Sequence, residues 1–258
     1  MSVKKSFGRM AKIYDKYRKA DELVLRVLSN EIQELRTMKN NLSMLDIGCG
    51  TGNYSIPLAK EFDIKLTGID FSEEMLTQAQ QKFPKGKWSL QDVKTVRFED
   101  NSFDIVLMTY FVQHIQDYDQ VLRMVFRILE KPFGKLLIVT DDHDQFHASF
   151  YHRYIPRILE IDLGRFPKVG DLANDLKKIG FDVNIRKVTR EMRFSDINDV
   201  EELVEKGKAR YFSTLTLITD KELKEGLEKM KRALINELKS GPIARTREKT
   251  ILVAYQIG

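Results

Sequence analysis

A chain of 258 residues with 42% hydrophobic side chains can bury one sizeable core and a small appended subdomain. Lys and Arg number 43 against 38 Asp and Glu, a formal net charge of +5, and the single cysteine, Cys49, excludes an internal disulfide and a cysteine-cluster zinc site within one chain. No stretch approaches the roughly 18 consecutive apolar residues of a membrane-spanning helix, and "MSVKKSFGRM" has no apolar run after its lysines, so a globular protein of the cytoplasm is expected, with no membrane partner.

The positive excess gathers at the front, where residues 1–45 hold ten basic and five acidic side chains. Without a run of about five or six like charges, this leader fits a solvated amphipathic segment better than a nucleic-acid arm. "ADELVLRVLSNEIQEL" then sets Leu23, Val27, Leu28, Ile32 and Leu35 at helical spacing. From Leu42 short apolar runs alternate with amphipathic stretches: "LSMLDI", "DIKLTGID", "GKWSLQD", "FDIVLMT" and "GKLLIVT" read as strands, with helices in most gaps. Such alternation predicts right-handed crossovers and a mainly parallel sheet covered on both faces, an α/β core.

Beyond Thr140 the alternation becomes irregular through "DDHDQFHASFYHRYIPRILEIDLGRFP", then resumes with a helix, "KVGDLANDLKKIG", and a strand, "FDVNIRKV". Residues 195–240 are strongly helical, with Asp220 as the expected N-cap of the last helix and Gly241-Pro242 as its stop; "EKTILVAYQIG" closes the chain as a strand. The expected organisation is an N-terminal helical segment over 1–40, a core over 41–194 and 241–258, and a helical insertion over 195–240.

The chemistry concentrates in "SMLDIGCGTGNYSIPLAKEF". Gly48, Gly50 and Gly52 follow a strand and precede a helix, so the backbone can take positive φ and a ligand can approach the main chain beside unpaired helix N–H groups. Where the dinucleotide fingerprint G-x-G-x-x-G requires glycine or alanine, this chain has Asn53. Asp46, just before the turn, suits a ligand with positive charge at that end. Asp70, twenty residues past Gly50 at the end of the second strand, suits both ribose hydroxyls of a nucleoside. Phe71 offers an aromatic face, and Asp92 ends the third strand where it can accept from an adenine amine.

These segments resemble the class I S-adenosylmethionine-dependent methyltransferases, small-molecule type. "LDIGCGTG" is similar to that family's first motif, "GIDFSEEML" to its second, "LQDV" to its third and "FDIVLMTYFVQHI" to its fourth, and "FGRMAKIYDKYR" resembles the N-terminal segment that packs over the cofactor. The resemblance implies a Rossmann-like seven-stranded sheet in the order 3-2-1-4-5-7-6 with strand 7 antiparallel, helices on both faces and a helical cover. It implies S-adenosyl-L-methionine as cofactor and S-adenosyl-L-homocysteine as product, with Tyr14, Arg18, Asp46, Gly48, Cys49, Gly50, Asp70, Phe71, Met75, Asp92, Val93, Thr109 and Tyr110 as the binding residues. Residues 1–40 then act as a lid and 195–240 as a cover over the acceptor.

Methyl transfer from a sulfonium is an in-line displacement, so alignment and desolvation supply most of the catalysis and a base is optional. His114, four residues past Tyr110, is the first candidate for a general base, with Tyr110 beside it; helix capping or packing is the competing role for this histidine. Asp141, His143, Asp144 and His147 have the residue types of a divalent-metal site, in a composition equally ordinary for loops, and no metal is assigned. The expected function is methyl transfer to a small-molecule acceptor by a monomer or homodimer. The alternatives are an RNA-modifying methyltransferase, which the basic leader favours, and a non-catalytic nucleoside-binding protein.

Overall fold

The computed structural model describes residues 14–256. Helix α1 (Glu22–Met38) precedes strand β1 (Ser43–Ile47); α2 (Ser55–Phe62), β2 (Lys65–Asp70), α3 (Glu73–Lys82) and β3 (Lys87–Leu90) follow. Then come β4 (Ile105–Thr109), α4 (Asp119–Ile128) and β5 (Lys135–Thr140), and three short helices, α5 (His143–Phe146), α6 (Phe150–Tyr154) and α7 (Pro156–Arg165). Helix α8 (Val169–Ile179) leads into β6 (Phe181–Phe194), and α9 (Ile197–Lys208) and α10 (Asp220–Leu238) separate it from β7 (Ile243–Gln256). The sheet runs β3-β2-β1-β4-β5-β7-β6, the expected order. Strand β7 is antiparallel to both neighbours and the remaining pairs are parallel.

The apolar runs of β1, β4 and β5 follow from burial on both faces. Leu45, Val106, Met108, Leu136 and Ile138 point to one side, into a core with α4 and α8. Met44, Ile105, Leu107, Leu137 and Val139 point to the other, into a core with α1 and α2. A third core lies under α6, α7, α9 and α10, where Phe150, Tyr151, Leu227 and Met230 meet Phe194 and Ile243. No described helix is long and apolar enough to cross a membrane.

The details depart from the expected pattern in three places. Helix α1 buries Val24, Leu28, Glu31, Ile32 and Leu35, so its inward stripe centres on Val24 and Glu31 in place of Leu23, with Val27 packed at its edge. The Glu31 carboxylate on that stripe reaches Lys135 Nζ of β5 at 2.7 Å in the interior. Strands β6 and β7 extend well past the expected segments, pairing from Phe181↔Gln256 to Phe194↔Ile243. Their added residues, "TREMRF" and "IARTR", are mostly polar, so they lack the apolar signature while still closing a ladder. Helix α10 is capped by Thr219 rather than Asp220, because the Thr219 hydroxyl accepts from the Glu222 amide while the Glu222 carboxylate takes the Thr219 amide.

Candidate active site

The carboxyl ends of β1, β2 and β4 and the start of α2 converge on the glycine turn. Gly48, Gly50 and Gly52 have φ of 68°, 53° and 73°, left-handed values that suit glycine. The Gly48 and Cys49 amides both donate to the Ile69 carbonyl, at 2.9 and 3.1 Å, tying the turn to the end of β2. A Cβ on Gly48 would stand 2.0 Å from the Phe111 ring, whereas nothing lies within 4 Å of the corresponding point on Gly50. The Gly50 face of the turn is therefore an open cradle.

Two carboxylates flank it. Asp70 accepts the Gly50 amide on Oδ2 and the Ser72 amide on Oδ1, both at 2.9 Å; burial raises its pKa against the pull of these two bonds. Asp46 is 1% exposed and its Oδ1 has no hydrogen-bond partner. Burial pushes this carboxyl up to about 7, and the nearby Asp70 adds to the shift.

Two cavities open at this edge. The larger, about 800 Å³, is walled by Gly48, Asp70, Phe71, Asp92, Val93 and His114 among others. The smaller, about 280 Å³, is walled by Tyr14, Arg18, Cys49, Thr109 and Tyr110, together with side chains from β7 and the helical cover. Gly48, Gln113 and Phe166 belong to both walls, so the cavities meet at the glycine turn. The amide nitrogen of Gln113 donates to the Tyr110 carbonyl at 2.6 Å, and its Oε1 is buried without a partner.

Asp46, Gly50 and Met75 are the expected site residues that line neither cavity; Met75 is 1% exposed, with its amide accepted by the Ser72 cap. Tyr110 has a φ of 50°, and its ring lies 5.5 Å from the Arg18 guanidinium carbon and 4.8 Å from Lys249 Nζ. Burial holds its phenol well above the usual range, so it stays protonated. At His114, Arg165 Nη2 lies 2.9 Å from Nδ1; because a guanidinium only donates, this nitrogen is the acceptor and the neutral ring carries its proton on Nε2. Burial, with Arg165 adding to it, pushes His114 down to about 3, too weak for an efficient proton acceptor near neutral pH.

Several pairings were not legible in the sequence. Asp141, following β5, is shared by two cations of β7: Lys249 Nζ at 2.7 Å and Arg247 Nη2 at 3.2 Å. Burial opposes the ionised carboxyl, but Lys249 and Arg247 together hold Asp141 below the usual range. His152 Nε2 meets Asp162 Oδ2 at 2.9 Å, Thr214 donates to the other Asp162 oxygen at 2.6 Å, and His152 Nδ1 is buried without a partner in the wall of the smaller cavity. Asn53, the position that departs from the dinucleotide fingerprint, fastens the N-terminal segment. Its amide nitrogen donates to the Arg18 carbonyl, and its oxygen accepts from Lys82 at 2.9 Å; Lys82 also pairs with Asp15 at 2.8 Å, and the Thr51 hydroxyl donates to Asp15 at 2.6 Å. Phe7, an expected part of the lid, falls outside the described residues. Among the described residues no group of three or more His, Cys, Asp or Glu forms a metal-holding cluster; Asp141 is engaged with its two cations, and His143 Nε2 lies 2.8 Å from the Phe166 carbonyl.

Residues 45–138 match the family described as a methyltransferase domain. A demethylmenaquinone methyltransferase of Listeria welshimeri is 33% identical over 208 residues, covering 69% of this chain and 87% of that enzyme. Phosphoethanolamine N-methyltransferase 2 of Caenorhabditis elegans is 32% identical over 198 residues, 72% of this chain; the chain spans 43% of that relative's length. Among solved structures, phosphoethanolamine N-methyltransferase 2 of Haemonchus contortus, in complex with S-adenosyl-L-methionine, superposes with a TM-score of 0.60 at 19% identity, covering 100% of this chain and 60% of that one. The YcgJ protein of Bacillus subtilis superposes with a TM-score of 0.60 at 15% identity, covering 92% and 100%. At these identities the superpositions bear on the fold.

Proposed function

The chain belongs to the class I S-adenosylmethionine-dependent methyltransferases, and we propose that it methylates a small molecule held in the smaller cavity while the cofactor spans the glycine turn from the larger one. The observation that carries this reading is the meeting of the two cavities at Gly48 and Gln113.

The residues present fit the cofactor. Asp70 keeps acceptor capacity on both oxygens for ribose hydroxyls beyond the two amides it already accepts. Phe71, Asp92 and Val93 wall the adenine end. Asp46 Oδ1 and Gln113 Oε1 are buried acceptors without partners on either side of the turn, suited to an ammonium donor. Tyr14 and Arg18, whose groups stack at 5.2 Å, are assigned to the cofactor carboxylate. When bound, S-adenosylmethionine supplies an electrophilic methyl group on a positively charged sulfur.

The chain's own contribution is alignment and exclusion of water. Thr109 and Tyr110, at the end of β4, line the smaller cavity and form the platform for the attacking atom. Proton acceptance falls to His152 rather than His114: Asp162 orients the His152 ring and leaves Nδ1 as the bare nitrogen, whereas His114 gives its lone pair to Arg165. The cations nearest the site face an internal cavity, which supports a small acceptor over an RNA surface. Incubation with methyl-labelled S-adenosylmethionine and a panel of small amines, alcohols and phosphorylated amines, read by mass spectrometry, tests the proposal. Label on a small acceptor is expected; label on RNA alone, with steep loss on adding salt, would replace it.

A further inference from the structure

The charges lining the smaller cavity do not balance. Its wall contains Arg18, Lys19, Arg190, Arg247 and Lys249, against the carboxylates of Asp21, Asp141 and Asp162. Two of these acids are already engaged: Asp162 holds His152 at 2.9 Å, and Asp21, which caps α1, lies 3.6 Å from Arg190 of the same wall and offsets it. Asp141 is left to Arg247 and Lys249 together. It accepts one N–H from each, and each cation has further donors. Among the described residues Arg18 forms no ion pair, and its guanidinium lies against the rings of Tyr14 and Tyr110.

Position separates Arg247 and Lys249 from the cofactor. Asp141 follows β5, and Arg247 and Lys249 both lie just beyond the register pair Thr140↔Thr250 at the end of the β5–β7 ladder. The glycine turn caps β1, with β4 between it and β5. At a strand spacing of about 4.8 Å, the Asp141 group lies about 10 Å across the sheet from the turn, and β7 about 14 Å. Thr109 and Tyr110, where the attacking atom is expected, lie between. At about 280 Å³ the cavity is also at the small end of ligand pockets, which span about 300–1,000 Å³.

We infer that the acceptor is a small molecule bearing a phosphate or carboxylate group, held by Arg247 and Lys249 over the β5–β7 edge, with its nucleophilic atom a few bonds away at Tyr110; this rests on the methyl-transfer reading above. An anion there supplies the charge that Asp141 alone does not. It also relieves Lys249, whose ammonium burial and the adjacent Arg247 push down to about 8. Removing a buried cation from such a site leaves the ligand's charge without its charge-assisted bonds.

The test is calorimetry of the full chain with S-adenosylhomocysteine, followed by titration of the saturated complex with inorganic phosphate and, separately, acetate. S-adenosylhomocysteine is expected to bind, and phosphate or acetate then to bind the complex without displacing it; the tighter of the two tells a phosphate ester from a carboxylate. Arg247→Gln and Lys249→Gln should each weaken the anion at least tenfold and change S-adenosylhomocysteine affinity less than twofold, while Lys249→Arg keeps the anion. Competition between anion and S-adenosylhomocysteine would overturn the inference, because the cations would then belong to the cofactor's carboxylate. Absence of anion binding at millimolar concentration to the wild-type complex would also overturn it, whatever the folding of the variants, as would retained affinity in both glutamine variants. Failure of S-adenosylhomocysteine itself to bind would instead remove the methyltransferase reading on which the inference stands.

Discussion

The Gly50 amide donates to Asp70 Oδ2 at 2.9 Å, so the glycine turn of β1 and the acid ending β2 form one rigid unit. The same carboxylate holds the Ser72 amide on its other oxygen and thereby shapes the entry to α3. Asp70→Ala is expected to weaken S-adenosylhomocysteine by roughly 1.5–3 kcal/mol, the usual worth of hydrogen bonds to a charged group, which is about tenfold or more in affinity. Calorimetry on a variant shown to be folded checks this; an unchanged dissociation constant would remove Asp70 from the ribose site.

Gly50 and Gly48 separate binding from folding. Alanine at Gly50 costs about 1–2 kcal/mol for its left-handed backbone, but its methyl group enters open space where the cofactor is expected. The Gly50→Ala chain should therefore fold, melt a few degrees lower and lose S-adenosylhomocysteine binding. Alanine at Gly48 adds to the same backbone cost a contact of 2.0 Å with the Phe111 ring, so Gly48→Ala should lose considerably more stability. Equal melting temperatures for the two variants would contradict this account.

How much of this could be read from the chain follows from what each feature depends on. The glycine turn and its acids are legible because each sits beside a strand end in sequence, and β1, β4 and β5 are legible because burial on both faces makes them apolar runs. The far ends of β6 and β7 are hidden by their charge. Lys249 and Asp141 are 108 residues apart and meet only through the antiparallel ladder of β5 with β7. His152 and Asp162 are close in sequence but lie on different helices, α6 and α7, whose packing no local pattern specifies. His114 carries the expected residue type at the expected place, and Arg165, brought in by α7, changes what its ring can do.

Asp46 should make apo stability fall with rising pH. Burial lifts its folded-state pKa to about 7 from 3.8, so the folded chain binds the proton more tightly than the unfolded chain does. That contribution is fully present below pH 3.8 and is lost as pH rises through about 7. Asp46→Asn removes the titration, so its melting temperature should change less between pH 5.5, inside the window from 3.8 to about 7 where the contribution is lost, and pH 8, above it, than the wild type's. Binding S-adenosylhomocysteine, whose ammonium favours the ionised carboxylate, should release a fraction of a proton at pH 7. Calorimetry in buffers of different ionisation enthalpy measures this release, and its absence would place the ammonium away from Asp46.

The two histidines should differ in kinetics. With an acceptor found by the panel, His152→Asn is expected to lower kcat by about 10²–10⁴, the usual contribution of a positioned proton acceptor, while KM changes little. His114→Asn, which removes a ring of low basicity, should cost less than tenfold. The reverse order would return the role of base to His114.

Asn53 is expected to govern how residues 14–21 close over the cofactor. Its side chain holds the Arg18 carbonyl and meets Lys82, which in turn pairs with Asp15. The Thr51 hydroxyl binds Asp15 as well, so two residues of the turn and one of α3 hold the segment. By contrast α1, which follows it, sets Val24, Leu28 and Ile32 fully into the core and is expected to exchange slowly, as the sheet does. A segment fastened by a few part-exposed polar contacts opens far more readily than the sheet beneath it. Hydrogen exchange should be fast at residues 14–21, slow in β1 and β4, and selectively slowed at 14–21 when S-adenosylhomocysteine binds. Asn53→Gly removes the fastening while leaving Gly48, Gly50 and Asp70 intact; it should speed exchange of the Arg18 amide, which donates to the Tyr14 carbonyl at 2.8 Å, and weaken S-adenosylhomocysteine several-fold. Strong protection of 14–21 in the free wild-type chain, equal to that of the sheet, would show a permanently docked segment with no part in cofactor entry.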